Sequence, residues 1–183
     1  MGFIIGGIIV LLLIIFWIAN YNSLVKLRNW VEQSWAQIDN QLKRRYDLIP
    51  NLMETVKGYM KHEEQTLAKI VSLRNQMGDT SATREEQMEA NNQLSSSLRQ
   101  LFALREDYPD LKANENFKML QEELTGTENK IAYARQLYNK TVSEYNTKID
   151  SFPSNLVASL HQFAKTDVLS TPPEERKNVK VQF

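Results

Sequence analysis

Apolar side chains follow two regimes along the chain. Residues 3–19, FIIGGIIVLLLIIFWIA, form an unbroken apolar run, and residues 1–22 carry no charged side chain. Further on, apolar positions recur at steps of three and four with polar residues between them, the period of an amphipathic helix. The first regime suits a bilayer, because about 20 helical residues at ~1.5 Å each cross the hydrocarbon. Phe3, Ile4, Leu11, Leu12, Phe16 and Trp17 are the anchor residues expected to face lipid, with Trp17 and Tyr21 at the depth of interfacial aromatics. A cleaved signal peptide would need a basic start and a small-x-small site, and neither MGF nor WIANYNS supplies them. Gly2 and Gly6, with Gly7 beside them, make one small-xxx-small face suited to helix contact in lipid.

The second regime predicts four helices, at about 23–46, 48–77, 83–107 and 114–151. Their stripes are Leu24, Leu27, Val31, Trp35, Ile38, Leu42 and Tyr46; then Leu52, Val56, Leu67, Ile70 and Met77. The third is Met88, Leu94, Leu98 and Leu101, and the fourth runs from Phe117 through Ile131 and Tyr138 to Ile149. Thr83 and Glu86 have capping-box spacing. Part of the polar, serine-rich first half of the third helix is expected to be exposed or frayed. Long stripes joined by short connections specify an all-α protein: an N-terminal transmembrane helix, then a long antiparallel up-and-down four-helix bundle over 23–151.

QLKRRYDLIPNL (41–52) interrupts this pattern with three bases and a proline. A turn at Tyr46–Asp47 places Pro50 in the first turn of the next helix, where its missing N–H has no partner to lose. A continuous helix through Pro50 is the alternative, at a cost of about 3 kcal/mol. With the turn, Lys43, Arg44 and Arg45 end the first helix, where the macrodipole favours cations. Lys43, Arg44, Arg45 and Asp47 are then either bundle-end ion pairs, a contact for a partner or second subunit, or a phospholipid contact. Asn40, Asp47 and Asn51 are the neighbours available to satisfy the guanidinium groups.

Charge and chemistry narrow the function. Lys plus Arg and Asp plus Glu both number 22, so no net charge draws nucleic acid. The chain has no cysteine, which removes disulfides, thiolate metal sites and cysteine nucleophiles. His62 lies in HEEQT with no second histidine four residues on, and no Glu stands three residues before His62 or His161. Phosphate-cradling glycine loops and Gly-x-Ser-x-Gly elbows are absent. Asn139-Lys140-Thr141 matches a glycosylation sequon, but mid-helix. No cofactor, metal or catalytic residue is assigned, and a non-enzymatic role is expected.

YNSLVKLRN, followed by SWAQIDNQLKRRYDLIPNLMETVKGYMKHE, resembles the signature of the bacterial LemA family. FPSNLVASL (152–160) is similar to that family's closing motif, and VKVQF to the Val/Phe-rich end of many members. The resemblance implies a single N-terminal anchor, a helical bundle and no enzyme. Magnetosome-associated relatives point it toward membrane organisation. KTDVLSTPPEERK (165–177) departs from the pattern, lacking the aromatic pair that the resemblance implies there.

If the helices alternate in direction, the fourth ends near the bilayer. There Phe152, Leu156, Val157, Leu160 and Phe163 share a face of a short helix at 152–164, with Pro153 at its first position. That face either lies in the membrane interface or packs on the bundle or a second subunit. The tail, 165–183, is expected to be flexible, with strand-like alternation at Val179, Val181 and Phe183. With Lys26 and Arg28 following the span, the positive-inside rule puts the N-terminus outside and the bundle in the cytoplasm of a single-pass inner-membrane protein. The expected partners are the lipid bilayer, further copies of this chain in a homo-oligomer, and other membrane proteins. The expected role is a scaffold that organises or shapes the membrane, with an adaptor for a signalling or quality-control membrane protein as the alternative.

Overall fold

The computed structural model describes residues 1–60 and 62–170, and among these every regular element is helical. In order these are α1 (Gly2–Lys57), α2 (Glu64–Met77), α3 (Arg84–Leu104), a 3₁₀ turn (Arg105–Asp107), α4 (Pro109–Ala113), α5 (Glu115–Asp150) and α6 (Ser154–Leu160). The all-α expectation therefore holds. The strand-like residues Val179, Val181 and Phe183 lie outside the described residues. The chain divides into two compact units: residues 1–36 with 135–168, and residues 37–134 with the segment that begins at Leu169.

The second unit answers the proline question. No turn occurs at Tyr46–Asp47; α1 runs on through Pro50 to Lys57. Pro50 has no N–H to give the Tyr46 carbonyl, which would otherwise be an orphaned acceptor. Arg74 of α2 fills the vacancy, its Nε–H donating to that carbonyl at 3.0 Å while its guanidinium stacks 3.6 Å above the Tyr46 ring. Gly78, just past α2, lets the ring approach; a Cβ there would lie 2.6 Å from Tyr46 Cε2. The real turn follows Gly58, a poor helix former, where the N–H groups of Tyr59 and Met60 both return to the Val56 carbonyl. The expected 48–77 helix is thus the end of α1 plus the shorter α2.

Within this unit each helix buries one stripe. Ile38, Leu42, Ile49, Leu52 and Val56 of α1 are buried, as are Ile70, Leu73 and Met77 of α2, which packs against α3. Met88, Leu94, Leu98 and Leu101 of α3 and Phe117, Leu120, Leu124 and Ile131 of α5 complete the core. The capping box at α3 is formed: Glu86 N–H donates to Thr83 Oγ1 at 3.2 Å, and Thr83 N–H to the Glu86 carboxylate at 2.7 Å. The polar half of α3 is exposed in part, as expected, at Glu85, Glu86, Glu89 and Gln93. Asn91, Ser95 and Ser97 of the same half are buried, and a charged side chain of α1 faces Asn91 and Ser95.

In the first unit, Leu24, Val31 and Ser34 of α1 are buried, as are Tyr138, Val142 and Tyr145 of α5. Trp35 meets Tyr138 edge-on, with centroids 5.9 Å apart. After α5 the chain turns at a cis Phe152–Pro153 bond, and Pro153 caps α6 rather than occupying its first turn. The Ser154 hydroxyl reaches back to the carbonyls of Lys148 and Ser151. Helix α6 closes in a Schellman arrangement: Gln162 takes φ 56°, its N–H returns to the Ser159 carbonyl, and the Phe163 N–H to the Ala158 carbonyl.

Candidate membrane-facing site

Three places match the residues singled out in the sequence. The first is the apolar run at the start of α1. Its most apolar stretch is long enough to cross a membrane, and none of it is buried against the other described residues. Phe3, Ile4, Leu11, Leu12 and Phe16 are all exposed, whereas Trp17 packs inward. Trp17 is half-buried beside α6. A fully exposed helix of this length and composition is compatible with a membrane anchor.

The second place is the descent and return of the chain at α6. Val157 and Ala158 are buried against Leu24, with Trp17, Ile149 and Phe163 packed around them. His161 accepts the Trp17 indole N–H at 3.3 Å and lies 4.8 Å from the Tyr21 ring. Phe163 sits edge-on to Tyr21 and under the Arg28 guanidinium. The chain then climbs back along α5. Lys165 pairs with Asp150 at 2.8 Å, the Asn146 amide grips the Thr166 backbone through both its atoms, and the Tyr138 hydroxyl reaches the Asp167 carbonyl. The apex of this hairpin, residues 160–162, therefore lies beside Trp17, at the last turns of the apolar run.

This geometry splits the face expected to meet the membrane. Val157 is buried and Phe163 half-buried, so those two are core residues. Phe152, Leu156 and Leu160 point the other way and remain 81%, 55% and 68% exposed. Helical spacing could not make this division, because it cannot say which side of a broad apolar stripe a neighbouring helix will take.

The third place is the basic run. Lys43 and Asp47 are exposed, and Arg44 pairs with Glu123 of α5 at 2.5 Å. Arg45 is the correction: it is 2% exposed and faces inward, so it is no contact for a partner or for lipid. Its guanidinium bonds Asn91 at 2.6 Å, Ser95 at 2.9 Å and the Glu128 carboxylate, while its Nε–H finds no partner among the described residues. Burial pushes the Arg45 pKa down, and the Glu128 charge opposes that shift. The sequence reading named Asn40, Asp47 and Asn51 as its company, which are neighbours along one helix. The actual partners come from α3 and α5. One signal was available: Asn91 and Ser95 fall in step with Met88 and Leu98, which puts polar side chains on a core stripe.

His62 is exposed and His161 sits in the aromatic cluster. Among the described residues, no group of three or more His, Cys, Asp or Glu side chains is placed to hold a metal. An all-helical chain led by one exposed apolar helix defines a class of helical proteins compatible with a single N-terminal anchor. Within that class the chain belongs to the LemA family, whose pattern matches residues 34–183. It is similar to Protein LemA of Metamycoplasma hominis, 26% identical over 163 residues that cover 89% of this chain and 74% of the relative. It is also similar to the magnetosome proteins MamQ 1 and MamQ 2 of Paramagnetospirillum magneticum, 29% identical over 84 residues in each case. That match covers 46% of this chain but 31% of those relatives.

Proposed function

We propose that this protein is a non-enzymatic, membrane-anchored scaffold that self-associates and organises or shapes the bacterial membrane. The supporting observation is the exposed apolar start of α1, from Phe3 to Phe16. Such a surface has no partner among the described residues, and a bilayer supplies one. In this reading α1, α2, α3 and α5 form an up-and-down bundle carried on the anchor. Lys26 and Arg28 hold the bundle in the cytoplasm and leave the N-terminus outside. The space around Gly2, Gly6 and Gly7 is open, which suits close approach of a second anchor helix. The names of the MamQ relatives tie them to the magnetosome, in keeping with a role in membrane organisation.

Native mass spectrometry of full-length protein in nanodiscs tests self-association. Discrete oligomers are the expected result, and a strict monomer at all concentrations overturns it. Orientation is checked with Lys43→Cys in this cysteine-free chain. An impermeant maleimide should label that position only after the cells are opened.

A second reading, an adaptor for another membrane protein, draws on an open groove of about 910 Å³ between the end of α1 and α2. Met53, Met60, Leu67 and Val71 line it, a set able to receive an apolar helical segment. A monomer that captures one defined membrane protein, and loses it on Val71→Glu, favours this reading.

A further inference from the structure

We propose that the α6 hairpin is a second membrane-contacting element, which sets Leu160, Leu156 and Phe152 into the lipid interface beside the anchor. This rests on the anchored reading above and extends it to a surface outside the span. Depth comes from contacts within one unit of the fold. The apolar run ends at residue 19, and Trp17, two residues earlier, donates its indole N–H to His161. Leu160, adjacent in sequence to His161, is thereby held at the level where hydrocarbon gives way to headgroups, the ordinary station of a tryptophan. Val157 packs on Leu24, about two helical turns further from the bilayer than Trp17 at ~5.4 Å per turn. Helix α6 therefore approaches the membrane along its length, and the left-handed Gln162 turns the chain back.

Composition agrees with this depth. Residues 151–164 contain no Asp, Glu, Lys or Arg, and residues 1–25 contain none either. The two uncharged stretches of the unit lie against each other. Around the exposed apolar side chains stand Ser151, Asn155, Ser159 and Gln162, side chains that headgroups solvate without a charge to bury. Lys26 and Arg28 follow on α1, where anionic phosphates lie. A second copy of the chain is the weaker occupant. Three side chains are far short of the roughly 20–30 residues per side in a standard protein interface.

Single-cysteine variants of full-length protein in phosphatidylglycerol-containing liposomes test this. Leu160→Cys, Leu156→Cys, Leu12→Cys and Lys43→Cys each carry an environment-sensitive fluorophore, and lipids brominated at a shallow or a deep position serve as quenchers. The expected result is a blue-shifted emission at 160 and 156 that shallow bromines quench most. Leu12→Cys should be quenched by deep bromines, and Lys43→Cys by neither. Quenching at 12 with water-like emission at 160 overturns the proposal and leaves the anchor standing. A blue shift at 160 that no lipid quenches, and that disappears on dilution with unlabelled protein, also overturns it and assigns the face to a second copy. No quenching at 12 removes the anchor and this proposal together. Unchanged far-ultraviolet circular dichroism in each variant shows that the fold survives labelling.

Discussion

Arg45 shows how one side chain can be misread when only its neighbours along the chain are visible. Its position in a run of bases suggests a surface. Its place in the helical period, between Leu42 and Ile49, puts it in the core. Opposite it, α3 supplies Asn91 and Ser95 and α5 supplies Glu128. Arg45→Met is expected to lower stability by about 3 kcal/mol, because it leaves Asn91, Ser95 and Glu128 short of a donor. Adding Glu128→Leu should restore most of that loss, since an apolar replacement of a whole buried pair is often neutral. Urea denaturation of the two variants checks this; additive losses would mean that the residues do not act as a pair. Gln162 offers a second test. A non-glycine residue at φ 56° is strained, so Gln162→Gly should raise stability by roughly 0.5–1 kcal/mol.

At the level of elements, periodicity served well for α3 and α5 and poorly for α1. The expected 114–151 helix and the observed Glu115–Asp150 nearly coincide, and the capping residues of α3 were readable because a cap is local chemistry. Pro50 was read as a start signal because its missing N–H was visible in the sequence, while the donor that replaces it was not. That donor, Arg74, is on another helix. The arrangement predicts a coupling. Arg74→Gln should cost about 1–2 kcal/mol in the native background, through loss of the carbonyl bond and the stacking. In a Pro50→Ala background the restored backbone N–H takes the Tyr46 carbonyl, and the same change should cost distinctly less. Equal losses in both backgrounds would break the link between proline and arginine.

The α3 cap also carries a pH signature. Hydrogen bonds from Thr83 hold the Glu86 carboxyl below its ordinary value of 4.5. A carboxyl lowered in the folded state contributes fully above its unfolded value, and that contribution is lost as pH falls through the folded one. Amide exchange in the first turn of α3 should accelerate as pH drops below about 4.5, after correction for intrinsic rates. Thr83→Ala should abolish the pH step.

Across the whole molecule, the fold class was legible because hydrophobic period and scarce glycine and proline act at every position. The division of the apolar face at 152–163 was not, because it depends on packing that brings distant segments together. Trp17 and Tyr21 of the first helix decide which side of α6 is covered. These two aromatics join the apolar run to the folded end of α5.

The indole–imidazole bond has a practical bearing on how such proteins are prepared. Laboratories routinely clip an oily leader to obtain crystals, and here a fragment beginning at Ser23 would discard two of the rings that hold α6 down. Backbone amides of residues 154–161 should then exchange roughly tenfold faster than in the intact chain, the equivalent of about 1.4 kcal/mol of lost docking. Deuterium uptake measured side by side would register the difference, and matching protection in both preparations would refute it. Shapes obtained from clipped material would portray this corner looser than it is in the cell.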